Sequence, residues 1–259
     1  MGAAYARLFA ARGATVVVHD AGVDRRGEGG DRSVADGVVE ELRRTGGRAT
    51  AAYENLEHEG ACRALIDSVL AEHGRVDVLV NNAGLVVYEE VEQAHRSWAT
   101  MRQIGIDAPF HLSRAVFPAM KRQRYGRLIF TTSGIAMSAE ETRPGLSAYA
   151  AANMAQFGLM VVFAADGRPY GVLANAISPV AATRVYTQPV APGQLDPARV
   201  APGVLFLASD ACPTTGAVLG AADGWFGLRR WTRTRGVDLG HDVTAEEVAA
   251  RWSDIAADR

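Results

Sequence analysis

The sequence predicts an α/β fold: one domain over residues 1–259, built on a doubly wound parallel sheet with helices on both faces. Three observations predict it. Short β-branched or apolar runs alternate with longer helical stretches, the pattern of successive βαβ units. The runs are apolar at consecutive positions, as in strands covered on both faces. Polar and small residues gather just after the runs, where open α/β sheets bind their ligands.

The elements follow in order. Residues 3 to 12 have helical periodicity, and Gly13 ends them before the strand Ala14 to His19. Asp20 stands at that strand's carboxyl end. Ser33 with Asp36 is expected to cap a helix that stops at Gly46-Gly47, and Ala49 to Tyr53 reads as the next strand. A helix from about Glu57 to His73 leads into the strand Val76 to Val80, followed by Asn81-Asn82-Ala83-Gly84. Next come a long helical region ending near Lys121, the strand Arg127 to Thr131, a helix carrying Tyr149, the strand Val172 to Ile177 and a helix starting near Pro197. Thr244-Ala245-Glu246-Glu247 has the form of a capping box, which opens a helical extension over 244–257. The chain has no internal repeat and no low-complexity linker.

Composition bounds the function. With 259 residues, 48% of them hydrophobic, the chain can bury a sizeable core without dividing. A net charge of −2, with arginines scattered among acidic residues, argues against nucleic acid or an anionic membrane as the main partner. Cys62 and Cys212 are too few for a disulfide framework, which suggests a reducing compartment. No apolar run approaches the roughly 20 residues that span a bilayer, and the residues after Met1 do not read as a signal peptide. These features give the expectation of a cytoplasmic protein that acts on a small molecule. His19, His58, His73, His95, His111 and His241 lack metal-ligand spacing, so no metal site is expected.

The helix opening Ser147-Ala148-Tyr149-Ala150-Ala151-Ala152-Asn153 places Tyr149 and Asn153 on one face, since residues four apart are neighbours on a helix. Together with Asn81-Asn82-Ala83-Gly84, Ser133 and Ser178-Pro179, this segment resembles the short-chain dehydrogenase/reductase family over nearly the whole chain. Val18-His19-Asp20-Ala21-Gly22-Val23-Asp24 and the tail Gly224-Trp225-Phe226-Gly227-Leu228-Arg229-Arg230-Trp231 bring it nearest to one group. That group is the dehydrogenase part of the peroxisomal multifunctional enzymes, which resemble 17β-hydroxysteroid and (3R)-hydroxyacyl-CoA dehydrogenases. The resemblance implies a Rossmann-like sheet, a catalytic Tyr149 and a substrate-orienting Ser133. It also implies a nicotinamide cofactor beside Asp20, Asn81, Ala83, Gly84 and Pro179, with subunits paired through helices as a homodimer or homotetramer. The Tyr149 helix is apolar over most of its circumference, which points to the same pairing.

Four departures from the family pattern point away from hydride transfer. Of the family's first strand and glycine loop only Gly2 is matched, so both are expected to be missing, and with them the cradle for a pyrophosphate. Asn153 stands where the family has the lysine that lowers the tyrosine pKa, which a neutral amide cannot do by charge. Gly105, in Gln103-Ile104-Gly105-Ile106-Asp107, falls where the family has an asparagine or histidine. Ser133 and Tyr149 are 16 positions apart, beyond the family's usual spacing, which implies an inserted segment within Ala136 to Leu146 carrying Glu140 and Glu141 over the mouth of the site.

Each residue has a plainer reading. Tyr149 can be a core tyrosine, Ser133 a strand end with Ser138 as rival, Asp20 a turn cap and the two glutamates solvated charges. The functional expectation is non-redox acid–base chemistry through Tyr149, with Ser133 and Asn153 beside it, on a carbonyl compound of polyketide, acyl or steroid-like kind. Dehydration, isomerisation and cyclisation need only a polarised carbonyl and a placed proton donor. The expected cofactor is none, or weakly bound NAD(H). The alternatives are an NAD-dependent oxidoreductase of a hydroxyacyl or ketone substrate and a non-catalytic member of a hetero-oligomer.

Overall fold

The computed structural model describes residues 1–24, 29–186 and 188–257. It forms two compact units, Met1–Leu228 and Arg229–Arg259. The first opens with α1 (Gly2–Ala11), β1 (Thr15–His19), α2 (Ser33–Arg44), β2 (Arg48–Ala52), α3 (Glu59–His73) and β3 (Val78–Asn81). Then come α4 (His95–Arg102) and α5 (Ala108–Gln123), joined by a π turn over Gln103–Asp107, followed by β4 (Gly126–Thr131) and α6 (Gly134–Met137). α7 (Ser147–Gly167), β5 (Val172–Val180), α8 (Ala201–Leu207), β6 (Val218–Ala222) and β7 (Trp225–Arg229) complete it. In the second unit α9 (Ala245–Ala250) and α10 (Trp252–Ala256) follow the expected capping box, with Glu247 N donating to Thr244 Oγ1 and Thr244 N to Glu247 Oε2.

The strands β3, β4, β5 and β6 pair in parallel, and β7 extends the sheet past β6. Asp223 and Gly224 join the last two strands with φ of 46° and 88°. Two central residues with positive φ are what a tight hairpin between twisted strands requires. This hairpin was not anticipated from the sequence, because Val218 to Ala222 is too short and too bland a run to separate from loop.

Alternate residues of the central strands face opposite covers. Ile129 and Ile177 pack with Ala4 and Tyr5 of α1 and with Val204 and Leu207 of α8. Leu128, Phe130, Ala174 and Ala176 pack with α3, α5 and α7 through Leu65, Val116 and Met160. The α/β class and the two-sided cover are as the sequence reads.

β1 and β2 form a separate parallel pair, Thr15 opposite Arg48 through His19 opposite Ala52. The same helices cover it: Ala6 and Ala10 of α1 meet Val16, Val18 and Ala49, while Val17 joins the opposite cluster that also holds Leu79 of β3. β1 and β3 therefore lie in one layer. Among the described residues β1 pairs only with β2, and β3 only with β4. β4 is buried over all but its last residue, whereas β1 and most of β3 remain partly exposed.

Two local readings are corrected. Ser33 is not the cap of α2; it is the first helical residue, and its N–H donates to Asp31 Oδ1 at 2.9 Å, while Asp36 accepts from the Tyr53 hydroxyl. The aspartate two residues earlier satisfies a free first-turn donor that the serine was expected to cover. Among the described residues one helix, Ser147–Tyr170, is long and apolar enough to cross a membrane by length and composition. Within it Ala152, Asn153, Gln156, Met160 and Ala164 are buried.

Candidate active site

The site forms where β4 ends beneath the first turns of α7. Two hydrogen bonds fix that junction: Thr132 Oγ1 donates to the Asn153 carbonyl at 2.9 Å, and Thr131 N donates to Gln156 Oε1 at 3.1 Å. Gln156 and Asn153 are both buried. Neither threonine nor Gln156 was singled out from the sequence. The available signal was a glutamine on the apolar side of a helix, one turn beyond Asn153.

This junction brings Ser133 to Tyr149 across the 16 positions between them. Ser133 is buried at the start of α6, and its hydroxyl and the Asn153 amide both act on the Tyr149 phenol. Burial is the larger effect and raises the Tyr149 pKa above the ordinary phenol value. Ser133 and Asn153 pull it down by smaller amounts, and Tyr88, from the loop after β3, pushes it up. The hydroxyl is therefore neutral near pH 7 and suited to donate a proton.

Asn153 Nδ2 donates to the backbone carbonyl of Tyr149 at 2.8 Å. One of the amide's two donor hydrogens is thus spent on its own helix. Gly105, in the π turn, lies against Ala152: a Cβ built on it would sit 2.7 Å from the Ala152 Cβ. The absence of a side chain there lets the α4–α5 bend approach α7 beside Tyr149.

The segment after α6 crosses to the loop after β3, where Glu89 N donates to the Gly145 carbonyl at 2.9 Å. Ser138, the rival of Ser133, donates to Glu140 Oε2 at 2.8 Å. Glu140 and Glu141 are exposed.

The remaining candidates line the carboxyl ends of the strands. Asn81 ends β3, is buried, donates to Ser113 Oγ at 3.2 Å and accepts from Thr131 Oγ1 through its carbonyl at 2.7 Å. Ala83 and Gly84 are exposed in the loop beyond it. Asp20 follows β1, and its Oδ1 accepts from Gly22 N at 2.8 Å, the geometry of an Asx turn. Pro179 stands near the end of β5, opposite Ala221. The amino end of α1 meets this rim, since a Cβ on Gly2 would lie 3.1 Å from Asn82 Nδ2. Burial and the nearby Arg184 and Arg7 lower the Met1 ammonium pKa. Tyr88 and Arg184 sit in loops without sequence pattern, and nothing short of the fold places them here. Among the described residues no three His, Cys, Asp or Glu side chains cluster in a way that could hold a metal ion.

The short chain dehydrogenase family model matches residues 1–193. The peroxisomal multifunctional enzyme type 2 of Mus musculus is 36% identical over 98% of the chain, which spans 35% of that enzyme's length. The crystal structure of a short chain dehydrogenase from Mycobacterium avium superposes with a TM-score of 0.83 at 30% identity, covering 97% of this chain and 89% of that one. A metagenomic short-chain oxidoreductase in complex with NADP matches with a TM-score of 0.69 at 29% identity, over 83% of this chain and 88% of its own.

Proposed function

The chain belongs to the short-chain dehydrogenase/reductase family, and from that premise we propose that it performs non-redox acid–base chemistry on a carbonyl-containing small molecule. The substrate is of acyl, polyketide or steroid-like kind, and the reaction is a dehydration, isomerisation or cyclisation. Tyr149 donates its phenolic hydrogen to the substrate carbonyl oxygen and so polarises the carbonyl, while the Ser133 hydroxyl holds that oxygen in place. Acyl chemistry has the support of the likeness to a peroxisomal multifunctional enzyme.

One observation carries this reading. Among the described residues, Ser133, Asn153 and Tyr88 act on the Tyr149 phenol beside its burial, and none of them is a cation. A tyrosine that takes a proton from an alcohol at neutral pH needs its phenolate stabilised, and this one has its neutral form favoured instead.

Family members use nicotinamide cofactors, and we propose that this chain binds none, or binds NAD(H) weakly. The residues present fit a dinucleotide poorly. Asn153 turns an amide hydrogen back to its own helix, and one oxygen of Asp20 is occupied by Gly22. A hydride-transferring enzyme on a hydroxyacyl or ketone substrate is the second reading, favoured by the similarity to a dehydrogenase along 97% of the chain.

Residues 1–259 are taken as one dehydrogenase-like domain whose 244–257 segment is an accessory extension, and the protein as a homodimer or homotetramer. The free cysteines Cys62 and Cys212 favour the cytoplasm. The peroxisomal relative favours a peroxisome, and cell fractionation distinguishes the two. The reaction is tested by incubating the purified chain with hydroxyacyl thioesters and cyclic ketones, with and without NADH. Products of unchanged oxidation level, formed equally in both arms, are expected. NADH oxidation at ordinary enzymic rates overturns the reading.

A further inference from the structure

The loop that leaves β3 is held beside Tyr149 at two points, and Tyr88 stands between them. At the first, Leu85 is buried with Met101, Ala148 and Ala152, in the cluster on which Tyr149 and Ile106 also pack. At the second, Glu89 N donates to the Gly145 carbonyl at 2.9 Å, four residues before Tyr149 in the chain, and Glu89 Oε2 accepts from Ser97 N at 3.4 Å. Gly145 has φ of 80°, and a Cβ on it would lie 3.4 Å from Glu89 N, so this close approach suits a residue without a side chain.

The three residues between these anchors are Val86, Val87 and Tyr88, and only the tyrosine has a polar tip. It is 49% exposed, and its phenol acts on that of Tyr149, so the two hydroxyls share one site. The other polar groups at the Tyr149 phenol are engaged. Ser133 and Asn153 both bond it, and Asn153 also bonds its own helix. The wall formed by Leu85, Met101, Ile106, Ala148 and Ala152 is apolar. A second substrate oxygen brought against that wall loses its water without gaining a partner, a cost it escapes where it meets Tyr88.

We infer that Tyr88 is a specificity-determining residue: its hydroxyl bonds a second oxygen of the substrate, while Tyr149 and Ser133 hold the first. The substrate class is then a ketone oxygenated at a second position, on the side that faces the loop after β3, and a ketone with a wholly apolar body is disfavoured. The inference rests on the reading that Tyr149 and Ser133 hold a carbonyl oxygen. Tyr88 is half open to water, so its hydroxyl stays solvated when no partner arrives. The preference is therefore modest, about three- to ten-fold, and not the far larger rejection that a fully buried donor imposes.

The test uses the intact chain and two ketones that differ by one hydroxyl, 4-hydroxycyclohexanone and cyclohexanone, titrated by ligand-observed NMR. The unchanged chain should bind the hydroxylated ketone about three- to ten-fold more tightly. Tyr88→Phe removes the hydroxyl and keeps the ring, and should bring the ratio of the two affinities close to one. Tyr149→Phe should weaken both ketones and leave the ratio in place. The two variants separate the two readings: affinities unmoved by Tyr149→Phe overturn the holding of the carbonyl by Tyr149, and a ratio unmoved by Tyr88→Phe overturns the role of Tyr88. A ratio near one in the unchanged chain, or binding of neither ketone, overturns that role as well. So does the loss of a cooperative thermal transition in Tyr88→Phe, which would make Tyr88 a structural residue.

Discussion

The Asn153 amide donates to the backbone carbonyl of Tyr149 at 2.8 Å, one turn back in the same helix. The Asn153 amide thus serves its own helix, and among the described residues no cation acts on the phenol. Asn153→Lys is expected to leave the native reaction intact or weaken it, and not to create NADH-dependent reduction. Tyr149→Phe keeps the packing and should lower the native rate by about 10²-fold or more, the usual range for a proton donor. Both are read on the native substrate while the absorbance of reduced nicotinamide is followed. A fully active Tyr149→Phe removes Tyr149 from the mechanism.

Gly105 and Ala152 set the distance between the α4–α5 bend and α7. Gly105→Ala would place two methyl carbons 2.7 Å apart, so it should destabilise the fold by about 1–3 kcal/mol, as overpacking does. Thermal unfolding of Gly105→Ala, and of the same change combined with Ala152→Gly, checks this. Recovery of most of the loss in the double variant is expected, and additive losses would show that the contact is not the cause.

Cys62 is fully buried beneath the loop before α3, its Sγ donating to the Leu56 carbonyl at 3.3 Å, and burial pushes the thiol up to about 11 from an ordinary 9.0. The unfolded chain ionises this thiol first. The contribution of this group to stability should be level below pH 9 and fall as pH rises from 9 toward 11, by on the order of 2 kcal/mol. The tyrosines Tyr5 and Tyr149, also raised from 10.0, add to the fall only above pH 10. Urea unfolding at pH 8, 9 and 10 should show the slope between 9 and 10 reduced in Cys62→Ala. An unchanged slope would assign the titration elsewhere.

α7 keeps Val161 and Val162 44% and 59% exposed on the side away from the sheet. A pair of neighbouring valines on a long apolar helix is expected to be covered by a second subunit. Light scattering at micromolar concentration should report a dimer or tetramer, and Val162→Glu should shift it toward monomer. Monomer only in the unchanged chain contradicts the expectation.

The order of helices and parallel strands was legible in the sequence because it follows from local periodicity. Gly13 and the Gly46-Gly47 pair mark where elements stop, and β-branched runs such as Val16 to Val18 suit no other place than a covered strand. The i, i+4 spacing alone put Tyr149 and Asn153 on one face. What periodicity cannot carry is the partner each polar group chooses. That Asn153 bonds its own helix, that Asp31 rather than Ser33 serves α2, and that Gln156 ties α7 to β4 are all choices among several donors and acceptors within reach, settled by packing between distant segments.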